Sequence, residues 1–225
     1  MKYNIHFNNA SINNVLIWAI SLLVYPVSKL FVFFKVSPNS LTFFSIIFTV
    51  IAFYLLINEQ YYLFSFFWFL NVVFDFCDGQ VARLSKKVNK SEFRFDHLSD
   101  IIKISLILLG LAIYYKNDNL WVIIFVTNFT FLFYIILNHN LQKTVNFKKS
   151  NNHFFFNYFK SENILIAIIK ILIPVMTKFN GHSLLLFFFL PISIKICLII
   201  LIYFNILFIF GIFKTSNQLI KTAKK

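Results

Sequence analysis

Apolar residues run through this chain in long blocks rather than in strand-like alternation. Residues 41–57, LTFFSIIFTVIAFYLLI, carry no charge, and neither do residues 120–137. Each block is long enough for a helix to cross a bilayer with little tilt. The block pattern predicts spans over about 41–57, 61–82, 95–115, 120–137, 163–178 and 183–213. Ahead of them, about 11–35 is apolar but interrupted by Ser21, Pro26, Ser28 and Lys29, which reads as an amphipathic helix at the interface. The turn SPNS at 37–40 and the polar residues 58–60 separate the first elements. Pro191 predicts a kink in the last span. The expected architecture is an all-α integral membrane protein, one domain over 1–225, with six transmembrane helices behind an N-terminal amphipathic interfacial helix.

The basic residues test this layout. Lys2, Lys29, Lys35, Arg83, Lys86, Lys87, Lys90, Arg94, Lys143, Lys148, Lys149, Lys160, Lys214, Lys221, Lys224 and Lys225 fall on one predicted side, against Lys116 and Lys178 near loops on the other. That asymmetry places both termini in the cytoplasm, in agreement with an even number of spans, and implies an inner-membrane, multi-pass protein. It also accounts for the net charge of +13, so the charge needs no nucleic acid partner. A chain that is 59% hydrophobic has no place among soluble domains of this length. The 33 phenylalanines reflect compositional bias rather than a binding function. Cys77 and Cys197 both lie in apolar helical stretches, which argues against a disulfide or a thiol metal site. The first 14 residues show no charged segment followed by a cleavage site, so no removable signal peptide is expected.

Against this background one window stands apart. Residues 75–100, DFCDGQVARLSKKVNKSEFRFDHLSD, hold Asp75, Asp78, Glu92, Asp96 and Asp100, five of the eight acidic residues, and both arginines. Carboxylates beside a membrane span are expensive to bury, so they mark a functional site. Asp75 and Asp78 are three apart, and Asp96 and Asp100 four apart, so each pair shares a helix face. The pairs close the second span and open the third, and a short basic loop predicts that these two helices pack antiparallel with the acids face to face. Such a cage of hard oxygens suits two Mg²⁺ or Mn²⁺ ions, which clamp an in-line phosphoryl displacement. Gly79 is one of four glycines and costs about 1 kcal/mol in a helix relative to Ala, which close approach of a ligand would explain. With 19 lysines and two arginines, an arginine at 83 suggests a need for the planar fork that grips phosphate.

The pattern resembles the signature of the CDP-alcohol phosphotransferase family of integral membrane enzymes. The match is Asp75, Asp78, Gly79, Ala82, Arg83, Asp96 and Asp100 at the family spacing, and Pro38, Asn39, Leu41 and Thr42 resemble the family's element before the first span. The departure is Glu92, where the family usually has glycine, and a glutamate there would crowd the nucleotide or repel it. The resemblance implies that Asp75, Asp78, Asp96 and Asp100 hold metal, with Asp100 also the general base. It implies that Asn39, Thr42, Gly79, Ala82, Arg83 and Asn89 contact a CDP-linked lipid. It further implies a small polar acceptor and a homodimer, by analogy only.

The leading expectation is therefore transfer of a phosphatidyl group from CDP-diacylglycerol to a small polar alcohol or alcohol phosphate, with release of CMP. The alternative within the same chemistry is transfer from a small CDP-alcohol to a lipid hydroxyl, suggested by the dipeptide Asp96-His97. An alternative of another class is a cation transporter, which would spread carboxylates to mid-membrane depth rather than gather them at one edge. Lys103, three residues past Asp100, is expected to neutralise the acids or grip an acceptor phosphate. Lys170 and Lys195 are expected to snorkel from apolar runs.

Overall fold

The computed structural model describes residues 15–85, 90–144 and 186–223. These form six helices: α1 (Val15–Phe33), α2 (Pro38–Ile57), α3 (Tyr61–Leu84), α4 (Lys90–Tyr115), α5 (Asp118–Thr144) and α6 (Ile194–Ala223). Among the described residues, four stretches are long and apolar enough to cross a membrane: Pro38–Ile57, Leu98–Tyr115, Asp118–Leu137 and Ile194–Ile220. α3 has 24 residues, but Asp75, Asp78, Gln80 and Arg83 in its last turns dilute its apolar character. The span expected at 163–178 lies outside the described residues.

The helix boundaries follow local chemistry. Pro38 opens α2, and the Ser37 hydroxyl caps it by accepting the Ser40 amide at 3.1 Å. α1 and α2 each end without glycine. Lys35 and Glu59 adopt left-handed φ angles of 55° and 62°. Val36 then donates to the Phe31 carbonyl at 2.9 Å, and Gln60 to that of Leu55 at 2.9 Å, closing both helix ends in Schellman fashion.

Two expectations are corrected here. The last helix begins at Ile194, not near residue 183, and runs to Ala223. Pro191 sits in the turn before it rather than kinking it. The reason is tertiary. The Tyr61 hydroxyl donates to the Phe188 carbonyl at 3.0 Å, and the Tyr115 hydroxyl to that of Leu190 at 2.5 Å, pinning the turn against the start of α3 and the end of α4. Lys195 therefore lies in the first turn of α6. The helix expected at 11–35 forms as α1, but its buried face carries Ser21, Val24 and Ser28 while Leu23 and Phe33 are exposed. Its serine hydroxyls turn inward, and its outer side mixes Leu23, Leu30 and Phe33 with Lys29.

Broad helix contacts pair α2 with α3, α5 with α6, α2 with α4, α1 with α3, and α4 with α5. The expected lengthwise packing of α3 on α4 is not among these broad contacts of the described residues. α2 lies against both instead. Gly110 permits this, because a Cβ there would stand 3.0 Å from side-chain carbons of Phe53 and Leu56. The main core gathers Phe64, Trp68, Ile107, Leu111, Phe131, Phe187, Phe204 and Phe208. A smaller core of Val24, Leu41, Cys77 and Val81 joins α1, α2 and α3.

Polar ties hold the later helices. Asn205 on α6 donates to Thr127 Oγ1 at 2.6 Å and accepts from Thr130 Oγ1 at 3.0 Å on α5. Asn205→Leu removes both cross-helix bonds, while the two hydroxyls keep carbonyls of their own helix, and is expected to cost about 1 kcal/mol. A thermal midpoint lowered by a few degrees in detergent checks this.

Candidate functional site

α2 enters the bundle, α3 leaves it and α4 returns at the same end, so the Pro38, Asp78 and Asp100 regions meet. The local sequence makes this meeting specific. Thr42, in the second turn of α2, faces α3, and its hydroxyl donates to Asp78 Oδ2 at 2.6 Å while also reaching the Pro38 carbonyl at 3.2 Å. Both side chains are buried, with Asp78 only 6% exposed. The nearby amino end of α2 presents the positive pole of its dipole, which favours a carboxylate there. From the other side, Gln80 Nε2 donates to the Ser21 carbonyl at 2.7 Å and fastens α1 across this part of α3.

Asp75, one turn deeper on α3, meets α4 through Lys103. The ammonium is hydrogen-bonded to Asp75 Oδ1 and lies 3.0 Å from Asp100 Oδ1. Lys103 is fully buried, Asp75 is 16% exposed and Asp100 is 35% exposed. Two carboxylates from different helices thus converge on one cationic point, and Asp100 is the more open of the two. A buried ammonium needs such partners, since an uncompensated charge there would cost several kcal/mol.

Arg83 lies back along α3 over Gly79. A Cβ on Gly79 would stand 3.2 Å from one terminal guanidinium nitrogen, so glycine gives the arginine its path. The Arg83 Nε is buried and has no hydrogen-bond partner among the described residues. Ala82 is half-buried one turn after Asp78, and Asn39 is exposed in the first turn of α2.

The expected site residues therefore divide. Asp75 and Asp100 come together through Lys103, Asp78 joins Thr42, and Gly79 joins Arg83. Asp78, 3 residues on from Asp75, is bonded toward α2, and among the described residues no three acid, cysteine or histidine side chains group as a metal site. The backbone of Asp96 is helical, one turn before Asp100, but its side chain lies outside the described residues, as do those of Glu92 and His97 and all of Asn89.

The sequence implied that Lys103 neutralises the acids without singling out Asp75, and it left two further features unassigned. The pairing of Lys103 with Asp75 joins residues 28 apart, although Lys103 in an apolar run is itself a sign of a buried partner. The tie from Gln80 to Ser21 has no local signal. Asn71, four residues before Asp75 on the same face of α3, is fully buried with both amide atoms unpartnered among the described residues.

Apolar helices with an acid-rich, arginine-bearing site at one end define an integral membrane protein with polar chemistry at its rim. The family model for CDP-alcohol phosphatidyltransferase matches residues 35–203, from the turn before α2 into α6, and the chain belongs to that family. No curated protein and no solved structure gives a match.

Proposed function

We propose that this protein transfers a phosphatidyl group from CDP-diacylglycerol to a small polar alcohol or alcohol phosphate and releases CMP. The observation that carries this reading is the convergence of Asp75 and Asp100 on one cationic point, beside the buried Asp78–Thr42 pair, in a chain of this family. An acceptor oxygen bonds to the phosphorus that carries the lipid, and the bond from that phosphorus to CMP breaks. Asp100, the more open acid, takes the acceptor's proton. Arg83 offers its Nε, unpartnered among the described residues, and its fork to the diphosphate. Asn39, Thr42, Gly79, Ala82 and Asn89 line the CDP-linked substrate's path in this reading.

The donor set fits divalent ions. Carboxylate oxygens are the ligands Mg²⁺ and Mn²⁺ prefer, and two of them already share a positive centre. Asp75, Asp78, Asp96 and Asp100 would hold two such ions, which would neutralise charge building on the departing CMP. The lysine-rich termini and the site would face the cytoplasm.

The test uses membranes containing the protein, Mn²⁺ and radiolabelled CDP-diacylglycerol. CMP should appear only with a matching acceptor, and glycerol 3-phosphate, serine, inositol phosphate and inositol form the panel. Release from labelled CDP-choline with diacylglycerol instead would reverse the halves of the reaction. No turnover with any pair, together with cation flux in vesicles, would overturn the enzymatic reading.

Glu92 bears on the donor. Glu92→Gly removes one negative charge from the first turn of α4, expected near the diphosphate. A screened unit charge contributes about 1 kcal/mol at close range, so the KM for the CDP substrate should fall about fivefold. Initial rates over a donor concentration series measure it.

A further inference from the structure

Lys103 is the one described lysine buried as a side chain, and nothing in the proposed reaction requires it. Its ammonium occupies the point where Asp75 and Asp100 converge. A divalent ion bridging those carboxylates would need the same oxygens. It would also meet a positive charge at close range, and like charges so placed cost several kcal/mol. The lysine and the ion are therefore competitors. Lysine suits displacement, because its charge rides on a flexible four-carbon stem.

The displaced ammonium needs an acceptor that is itself dry. Asn71 supplies one. It lies one turn deeper than Asp75 on the same face of α3, is fully buried, and its Oδ1 has no hydrogen-bond partner among the described residues. Neighbours four apart on a helix stand about 5–6 Å from each other, a distance the lysine stem can cover by rotation. An unpaired buried amide oxygen is costly to leave unsatisfied, so it favours the arriving donor.

We propose that Lys103 is a resident cation that holds Asp75 and Asp100 together without metal and withdraws toward Asn71 when a divalent ion takes its place. The lysine thereby sets how tightly this chain binds metal. The inference rests on the metal-dependent reading of the site. Lys103 is a positioning residue in this scheme, because it acts through the two acids.

The test is Mn²⁺ binding to the purified full-length protein by titration calorimetry, without substrate. Lys103→Met removes the competitor at similar volume, and its Mn²⁺ affinity should rise about tenfold or more over wild type. Affinity that stays the same or falls would overturn the proposal. A purely structural lysine would not tighten metal binding. If Lys103→Met does not fold, Asn71→Leu decides, since it keeps the lysine and removes its refuge. Mn²⁺ affinity weakened several-fold would support the scheme, and unchanged affinity would overturn it. Failure here remains distinct from failure of the proposed reaction. A wild type that releases CMP on acceptor addition but whose Mn²⁺ affinity ignores Lys103 refutes the lysine alone. Absence of Mn²⁺ binding in every protein refutes both.

Discussion

Asp78→Asn is expected to reduce acceptor-dependent CMP release by about a thousandfold or more, to the assay background. The size follows from the surroundings of this carboxylate. Asp78 is buried between α2 and α3, and its Oδ2 accepts the Thr42 hydroxyl at 2.6 Å. An asparagine can keep that bond through its carbonyl oxygen and fills nearly the same volume, so the fold should survive. What disappears is the negative charge. Thr42→Val is the matched control, because it keeps the charge and deletes only the donor. It should cost about tenfold, in the range of one hydrogen bond to a charged group. Initial rates of CMP release, with thermal unfolding to confirm that each variant is folded, separate the two. Asp100→Asn should be as inactive as Asp78→Asn, through loss of the base. Full turnover by either variant would contradict their assigned roles.

Chelation is expected to abolish CMP release and leave the protein folded. EDTA removes the charge that would stabilise the departing CMP, and activity should fall to below about a hundredth of its starting value. The helices should hold, since Lys103 bridges Asp75 and Asp100 when metal is absent and the apolar cores do not involve metal. Added Mn²⁺ or Mg²⁺ should restore turnover. Calcium, larger and looser in its coordination, should restore it poorly. Activity that persists after exhaustive chelation would remove the metal from the reaction.

Much of this architecture is legible in the residues because its strongest signals are local. Uncharged runs at 41–57 and 120–137 announce α2 and most of α5. The spacings of Asp75 to Asp78 and Asp96 to Asp100 announce shared helix faces, while the SPNS segment reads as a turn before a span at 41 although Pro38 to Ser40 already form the first turn of α2. What is not legible depends on contacts between distant residues. Pro191 reads as a kink from its neighbours, yet it lies in a turn, because hydroxyls from Tyr61 and Tyr115 hold residues 127 and 75 positions away. Asp78 reads as a partner of Asp75, yet its hydrogen bond crosses to Thr42, 36 residues earlier. Gly79 reads as room for a ligand, and it also makes room for Arg83. The contact of Lys103 with Asp100 follows from a spacing of three, while its contact with Asp75 depends on how α2 sets α3 against α4.

The most direct test is electron paramagnetic resonance of the purified protein loaded with Mn²⁺. If acids from α3 and α4 share a pair of ions about 4 Å apart, the spectrum will show exchange coupling between two manganese centres, and Asp78→Asn will abolish it. A spectrum of isolated, uncoupled Mn²⁺, or one indifferent to Asp78, would mean that these acids do not form a shared two-ion centre.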